Sequence, residues 1–245
     1  LPFNKIGKWF SLFYPFLAAF MLLGGFGLEG VTTDKFGGFM LNLVAGLSGI
    51  FLSLPLGILL ALGRRSKLPL VRWMSIGFIE VFRGVPLITL LFVAVIILQL
   101  FLPPEVTIDK LFRVMIMITL FASAYMAEVV RGGLQAIPQG QYEAAEAMGL
   151  KYWQSMRLII LPQALKVSIP GIVNTFIGLF KDTTLVIIIG LFDILGQARL
   201  LQSNPDWMGR VAYETFFLVA LLFFVICFSM SRYSIRLEKR LNTDQ

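Results

Sequence analysis

Twenty-one basic and fourteen acidic residues occur among 245, and a few of them stand inside apolar stretches where charge is costly. Glu80 and Arg83 have i, i+3 spacing and share one helical face. Glu128 and Arg131 repeat that spacing near the end of another stretch. Asn174, Gly178 and Asp182 fall at i, i+4 and i+8, with Lys181 beside them and Thr183 and Thr184 after them. A charged side chain at the bilayer centre costs at least about 2.5–3.5 kcal/mol on insertion scales, so each of these needs a reason. Glu80/Arg83 and Glu128/Arg131 are internally compensated, which favours structural ion pairs that lock helices together or anchor a loop. Lys181 and Asp182 are consecutive, diverge by about 100° around a helix, and cannot neutralise each other. An ammonium-carboxylate ligand needs an acceptor and a donor of opposite sign close together. Asn174, Lys181, Asp182 and Thr183 could line a pathway or gate for such a ligand; ion pairing with another subunit is the alternative. Catalysis has little to work with. There is no histidine and one cysteine, Cys227, in an apolar run. No catalytic residue, metal site or internal disulfide is therefore expected.

The elements that must position these residues are membrane helices. Hydrophobic residues make up 58% of the chain and charged residues 14%, with a mean hydropathy of +0.83. Soluble domains run at about 45–50% apolar and about 25% charged, so a soluble enzyme, a nucleic-acid binder and a disordered tail are excluded. Six stretches are long enough to cross about 30 Å of hydrocarbon. They run from about Trp9 to Leu28, Phe39 to Leu62, Ser75 to Leu102, Leu111 to Val130, Ile169 to Leu195 with one interruption, and Val211 to Met230. The first lacks a small-x-small cleavage signature and is read as a retained helix, not a signal peptide. Leu1 is not a methionine, and an upstream segment is expected. The basic residues alternate: Lys5 and Lys8, then Arg64 to Arg72, then Arg131 to Lys166, then Arg232 to Arg240. The excess of positive charge on cytoplasmic loops puts both termini in the cytoplasm. The expectation is an all-α multi-pass membrane protein with about six transmembrane helices.

One helix-forming segment, Pro138 to Lys166, is too polar to insert. Its centre, Gly140 to Leu150, is rich in helix formers and stops at Gly149. Tyr142, Ala145 and Gly149 share one face, with Glu143 and Glu146 turned elsewhere. A short helix held on the cytoplasmic side suits docking into a partner's groove better than lying on a membrane.

Here the pattern becomes specific. Glu143-Ala144-Ala145, three residues, Gly149, nine residues, Ile159, one residue and Leu161-Pro162 resembles the EAA loop of binding-protein-dependent ABC importer permeases. Glu80–Leu87, Ala124–Gly133, Gln135–Gly140 and Leu179–Thr184 are similar to segments of the polar-amino-acid branch, and within it to general L-amino acid permease subunits. The likeness covers roughly Phe39 to Leu241. It implies a type I ABC importer permease fold with a five-helix core at 39–241, an added N-terminal helix and outer loop at 1–38, and a cytoplasmic tail at 242–245. It further implies that the Glu143–Gly149 helix is a coupling helix seated on an ATPase subunit, with Glu143, Ala144, Ala145, Gly149, Ile159, Leu161 and Pro162 forming the coupling loop. Gly149 would allow the sharp exit and Pro162 the return to the membrane.

The partners implied are a pair of ATP-binding subunits, a second permease subunit (identical or sister) and a periplasmic amino-acid-binding protein, in a bacterial inner membrane. No nucleic acid is expected. The chain has no phosphate-cradling Gly-rich Lys-Ser/Thr loop, so ATP and Mg would be bound by the partner ATPase and no cofactor by this chain. Two other classes fit less well. A secondary transporter would show an internal repeat, which is not found. An intramembrane enzyme would need a nucleophile and base at depth, and Lys181 has no serine at helical spacing.

Overall fold

A computed structural model describes residues 33–101, 103 and 108–242. The expected span from Trp9 to Leu28 lies outside the described residues. The chain divides into two units, Leu1–Gly37 and Gly38–Gln245. The described part of the first is a 3-10 turn, Thr33–Lys35, closed by Phe36 N donating to Thr33 O at 3.1 Å.

The second unit is helical, without strands among the described residues. We label its helices α1 (Gly38–Arg64), α2 (Pro69–Gly84), α3 (Leu87–Leu100), α4 (Lys110–Ala136), α5 (Gln139–Ala147), α6 (Tyr152–Ile189), α7 (Ile194–Ser203) and α8 (Ala212–Asn242). Among the described residues α1, α4, α6 and α8 are long and apolar enough to cross a membrane, and α2 with α3 forms one further candidate span bent by 103°.

The bend corrects the straight span expected from Ser75 to Leu102. Pro86 has no N–H to donate and disfavours helical backbone at the residue before it. Val85 is accordingly extended, at φ −104° and ψ 132°, and the chain restarts as a helix at Leu87. Together the pair is long and apolar enough to cross. Arg64, at the end of α1, bonds Glu128 near the end of α4, so these two helices run parallel. Two parallel spans require a return of the chain between them, and α2–α3 is the candidate span among the described residues between Arg64 and Lys110.

A second correction concerns α6. Its helix begins at Tyr152, well before the expected Ile169, and ends at Ile189, where Gly190 is left-handed at φ 74°. Most of the expected cytoplasmic loop after Gly149 is thus the lower part of α6. Pro162 does not turn the chain; it sits in a continuous helix, directly after a π turn at Met156–Ile160. A proline clashes with the carbonyl four residues before it, and the wider π turn accommodates that carbonyl. Lys181 lies in the last third of this long helix. Beyond Asp182 the helix tightens to 3-10 over Thr183–Ile189.

Small residues bring the helices together. A Cβ at Gly57 of α1 would stand 2.7 Å from Met126 Cβ of α4, and one at Gly133 of α4 would collide with Ser168 Oγ of α6. Close backbone approach of this kind is how helices gain packing energy in lipid, where no hydrophobic drive exists between them. Ala61, Met126, Ala127, Val130 and Ile160, all 0% exposed, fill the half of the core nearest the end of α1. That core is what the charged and docking residues are mounted on.

Candidate functional site

The helix α5 is set by its ends. Pro138 precedes it in extended backbone, and Gly149 follows it at φ +73°, a left-handed conformation that costs glycine nothing. Leu150 N donates to Ala145 O at 3.2 Å and Gly149 N to Glu146 O at 2.8 Å, which together satisfy the last carbonyls of the helix. Only Met148, Gly149, Leu150 and Lys151 connect α5 to α6.

Of the face shared by Tyr142, Ala145 and Gly149, the first two residues turn inward. Ala145 is 0% exposed, and Tyr142 packs half-buried against the core formed by Leu134, Ile137, Met156 and Ile160. Tyr142 Oη donates to Leu134 O at 3.1 Å, and Gln163 of α6 donates to Gln141 at 3.0 Å. The open face carries Glu143, Ala144, Ala147 and Met148, with Gly149 beyond. Of the other motif residues, Ile159 and Leu161 pack against the same core while Pro162 is exposed. The motif thus holds a core-facing half and an open half.

The charges form one cluster and not two pairs. Glu128 accepts from Arg131 at 2.7 Å, as its spacing implies. Glu80 does not pair with Arg83. Instead Arg64 Nη1 reaches Glu80 Oε1 at 3.2 Å and Glu128 Oε1 at 2.8 Å, while Arg83 lies 3.7 Å from Glu128 Oε2. The cluster forms because α2 crosses the C-terminal end of α1: Ser75 packs at Gly63 and Glu80 at Arg64. Arg64, the last residue of α1, is the centre of the cluster.

Toward the C-terminal end of α6 the polar stripe divides. Asn174 and Lys181 are exposed on α6, Asp182 is half-buried, and Lys181 makes no ion pair among the described residues. Thr183 turns the other way. It is 1% exposed, donates to Phe180 O at 2.6 Å and accepts from Asn42 Nδ2 at 2.9 Å, so its hydroxyl is committed inside the bundle. Asn42 also donates to Asp193 Oδ2 at 3.0 Å and accepts from Ile194 N at 3.1 Å. Asp193, 0% exposed, caps α7 through Gly196 N at 2.9 Å. This buried network of α1, α6 and α7 was not foreseen. A second unforeseen group is Arg113, 8% exposed, whose Nη1 donates to Val95 O at 2.9 Å and Ala94 O at 3.3 Å in a π turn of α3. Among the described residues no group of three or more His, Cys, Asp or Glu is placed to hold a metal ion.

Residues 53–243 match the family of binding-protein-dependent transport system inner membrane components. The chain is 56% identical over 237 residues to the glutamate/glutamine/aspartate/asparagine transport system permease protein BztC of Rhodobacter capsulatus, covering 96% of this chain and 54% of that protein. It is 54% identical over 239 residues to the inner membrane amino-acid ABC transporter permease protein YhdY of Escherichia coli, covering 97% of this chain and 65% of that protein. It thus spans less than two thirds of the length of either relative. The crystal structure of an amino acid ABC transporter with histidines superposes with a TM-score of 0.72 at 29% identity, covering 83% of this chain and 92% of that one. The fold is also that of the inward-facing MetNI methionine ABC transporter, at a TM-score of 0.61 and 21% identity over 96% of this chain and 99% of that one.

Proposed function

The chain belongs to the family of binding-protein-dependent transport system inner membrane components, and from that membership we infer that it is the permease subunit of an ATP-driven importer of polar amino acids. The observation that carries this reading is α5: a short helix sealed to the membrane core on one face and open on the other. Glu143, Ala144, Ala147 and Met148 offer a small, shallow surface to an ATPase subunit, and Gly149 ends it without a bulky side chain. Substrate delivery by a binding protein is supported by the family to which the chain belongs, and the amino-acid class by the names of the relatives with 54–56% identity.

The exposed Asn174 and Lys181 on α6 support a second permease subunit. An amide and an ammonium do not belong against lipid tails. Facing a second copy or a sister chain across a central path, they supply donors to a substrate carboxylate, and Asp182 supplies an acceptor for its ammonium. Both termini lie in the cytoplasm, and ATP with Mg is held by the ATPase pair.

The test is co-expression with candidate ATPase and binding-protein subunits, followed by purification and reconstitution in proteoliposomes. The expected result is a complex containing two ATPase copies that takes up radiolabelled L-glutamate, L-glutamine, L-aspartate or L-asparagine only with ATP. Uptake without nucleotide, or a chain that never purifies with an ATPase, overturns the reading.

A further inference from the structure

Arg64 ends α1 and Arg65 follows it, and the two reach in different directions. Arg65 Nη1 donates to Tyr142 Oη of α5 at 3.0 Å and to Leu134 O at 3.5 Å, and its guanidinium lies 5.5 Å from the Tyr142 ring centroid. Arg64 holds Glu80 of α2 and Glu128 of α4 at 3.2 and 2.8 Å. Because the two residues are adjacent, whatever displaces one displaces the other. We propose that Arg64 and Arg65 are positioning residues that carry a displacement of α5 into α2 and α4. The proposal rests on the reading of α5 as the ATPase-docking helix.

The cluster has the means to respond. Three guanidinium groups, of Arg64, Arg83 and Arg131, converge on the one carboxylate of Glu128, which is 15% exposed, while Glu80 is 57% exposed and holds Arg64. Arg83, at 3.7 Å, is the loosest of the three. Glu80 stands one helical turn before Arg83, the spacing at which the two can pair within α2. A second arrangement is therefore built in. When the end of α1 withdraws, Arg64 leaves Glu80, Glu80 turns to Arg83, and α2 is no longer tied to α4. Both arrangements keep every carboxylate paired, so the switch exposes no bare charge.

Partly exposed pairs of this kind contribute little to folding, about 0–1 kcal/mol each. Their loss is therefore read in coupling and not in stability. The experiment uses the full complex in proteoliposomes, with a radiolabelled L-amino-acid mixture as probe and Arg64→Gln, Arg65→Gln, Arg64→Lys and the Arg64→Gln/Arg65→Gln double variant. Solute moved per ATP hydrolysed is expected to fall about tenfold in each glutamine variant, within the range of coupling free energies. Co-purification with the ATPase and the thermal midpoint stay at wild-type values. The double variant is no worse than the poorer single one, because both act on one route, and Arg64→Lys recovers most of the ratio. Wild-type ratios in the single variants, loss of ATPase binding in them, or a double variant that multiplies the two losses each overturn the proposal. Failure of the wild-type complex to form or to use ATP overturns the functional reading itself, and this proposal with it.

Discussion

At the scale of single residues, charge chooses partners by distance and not by sequence spacing. Glu128/Arg131 was legible because both lie on one helix and no closer guanidinium displaces Arg131. Glu80/Arg83 has the same spacing and does not pair, because Arg64 arrives from α1. Nothing in a single sequence announces that arrival. Asn42 was equally hidden, an isolated amide in an apolar run whose partners Thr183 and Asp193 are remote in the chain. Its removal has a definite cost. In Asn42→Leu the buried Asp193 carboxylate loses a donor and Ile194 N–H an acceptor, and each buried group left unsatisfied costs about 1–3 kcal/mol. The variant is expected to insert normally and to unfold at a clearly lower temperature in detergent. An unchanged midpoint would show that water replaces the amide without penalty.

At the scale of elements, hydropathy reported how much apolar chain there is but not its direction. Ser75–Leu102 is apolar enough for one span, yet Gly84-Val85-Pro86 divides it into α2 and α3 at 103°. The signal was the proline, whose effect on the preceding residue is local and strong. The lower part of α6 was missed for the opposite reason, since Gln154, Arg157, Gln163 and Lys166 hide a helix that continues below the apolar run. For α5 the existence and both ends were legible, but not which face is covered, because Ala144 and Ala145 are the same residue type. Crosslinking separates them. A cysteine at Ala144 is expected to react with the ATPase partner, and one at Ala145 to remain unreactive until the chain is denatured. Efficient crosslinking from Ala145 with none from Ala144 would mean that α5 docks by its opposite face.

At the scale of the molecule, the positive residues gave the alternation of loops, and the parallel run of α1 and α4 follows the same alternation. It predicts that a membrane-impermeant maleimide added to intact spheroplasts labels Asn204→Cys and not Lys67→Cys, with Cys227 replaced by serine. The reverse labelling would invert the topology. The short joint between α5 and α6 has a further consequence for energy use. Ordering a residue costs about 1–2 kcal/mol of backbone entropy, so a slack loop in this place would dissipate work each time it was drawn taut. Gly149, Leu150 and Lys151 are already hydrogen-bonded or packed into place. Such a linkage has little backlash: force delivered at one end arrives at the other before the nucleotide's free energy is lost as heat.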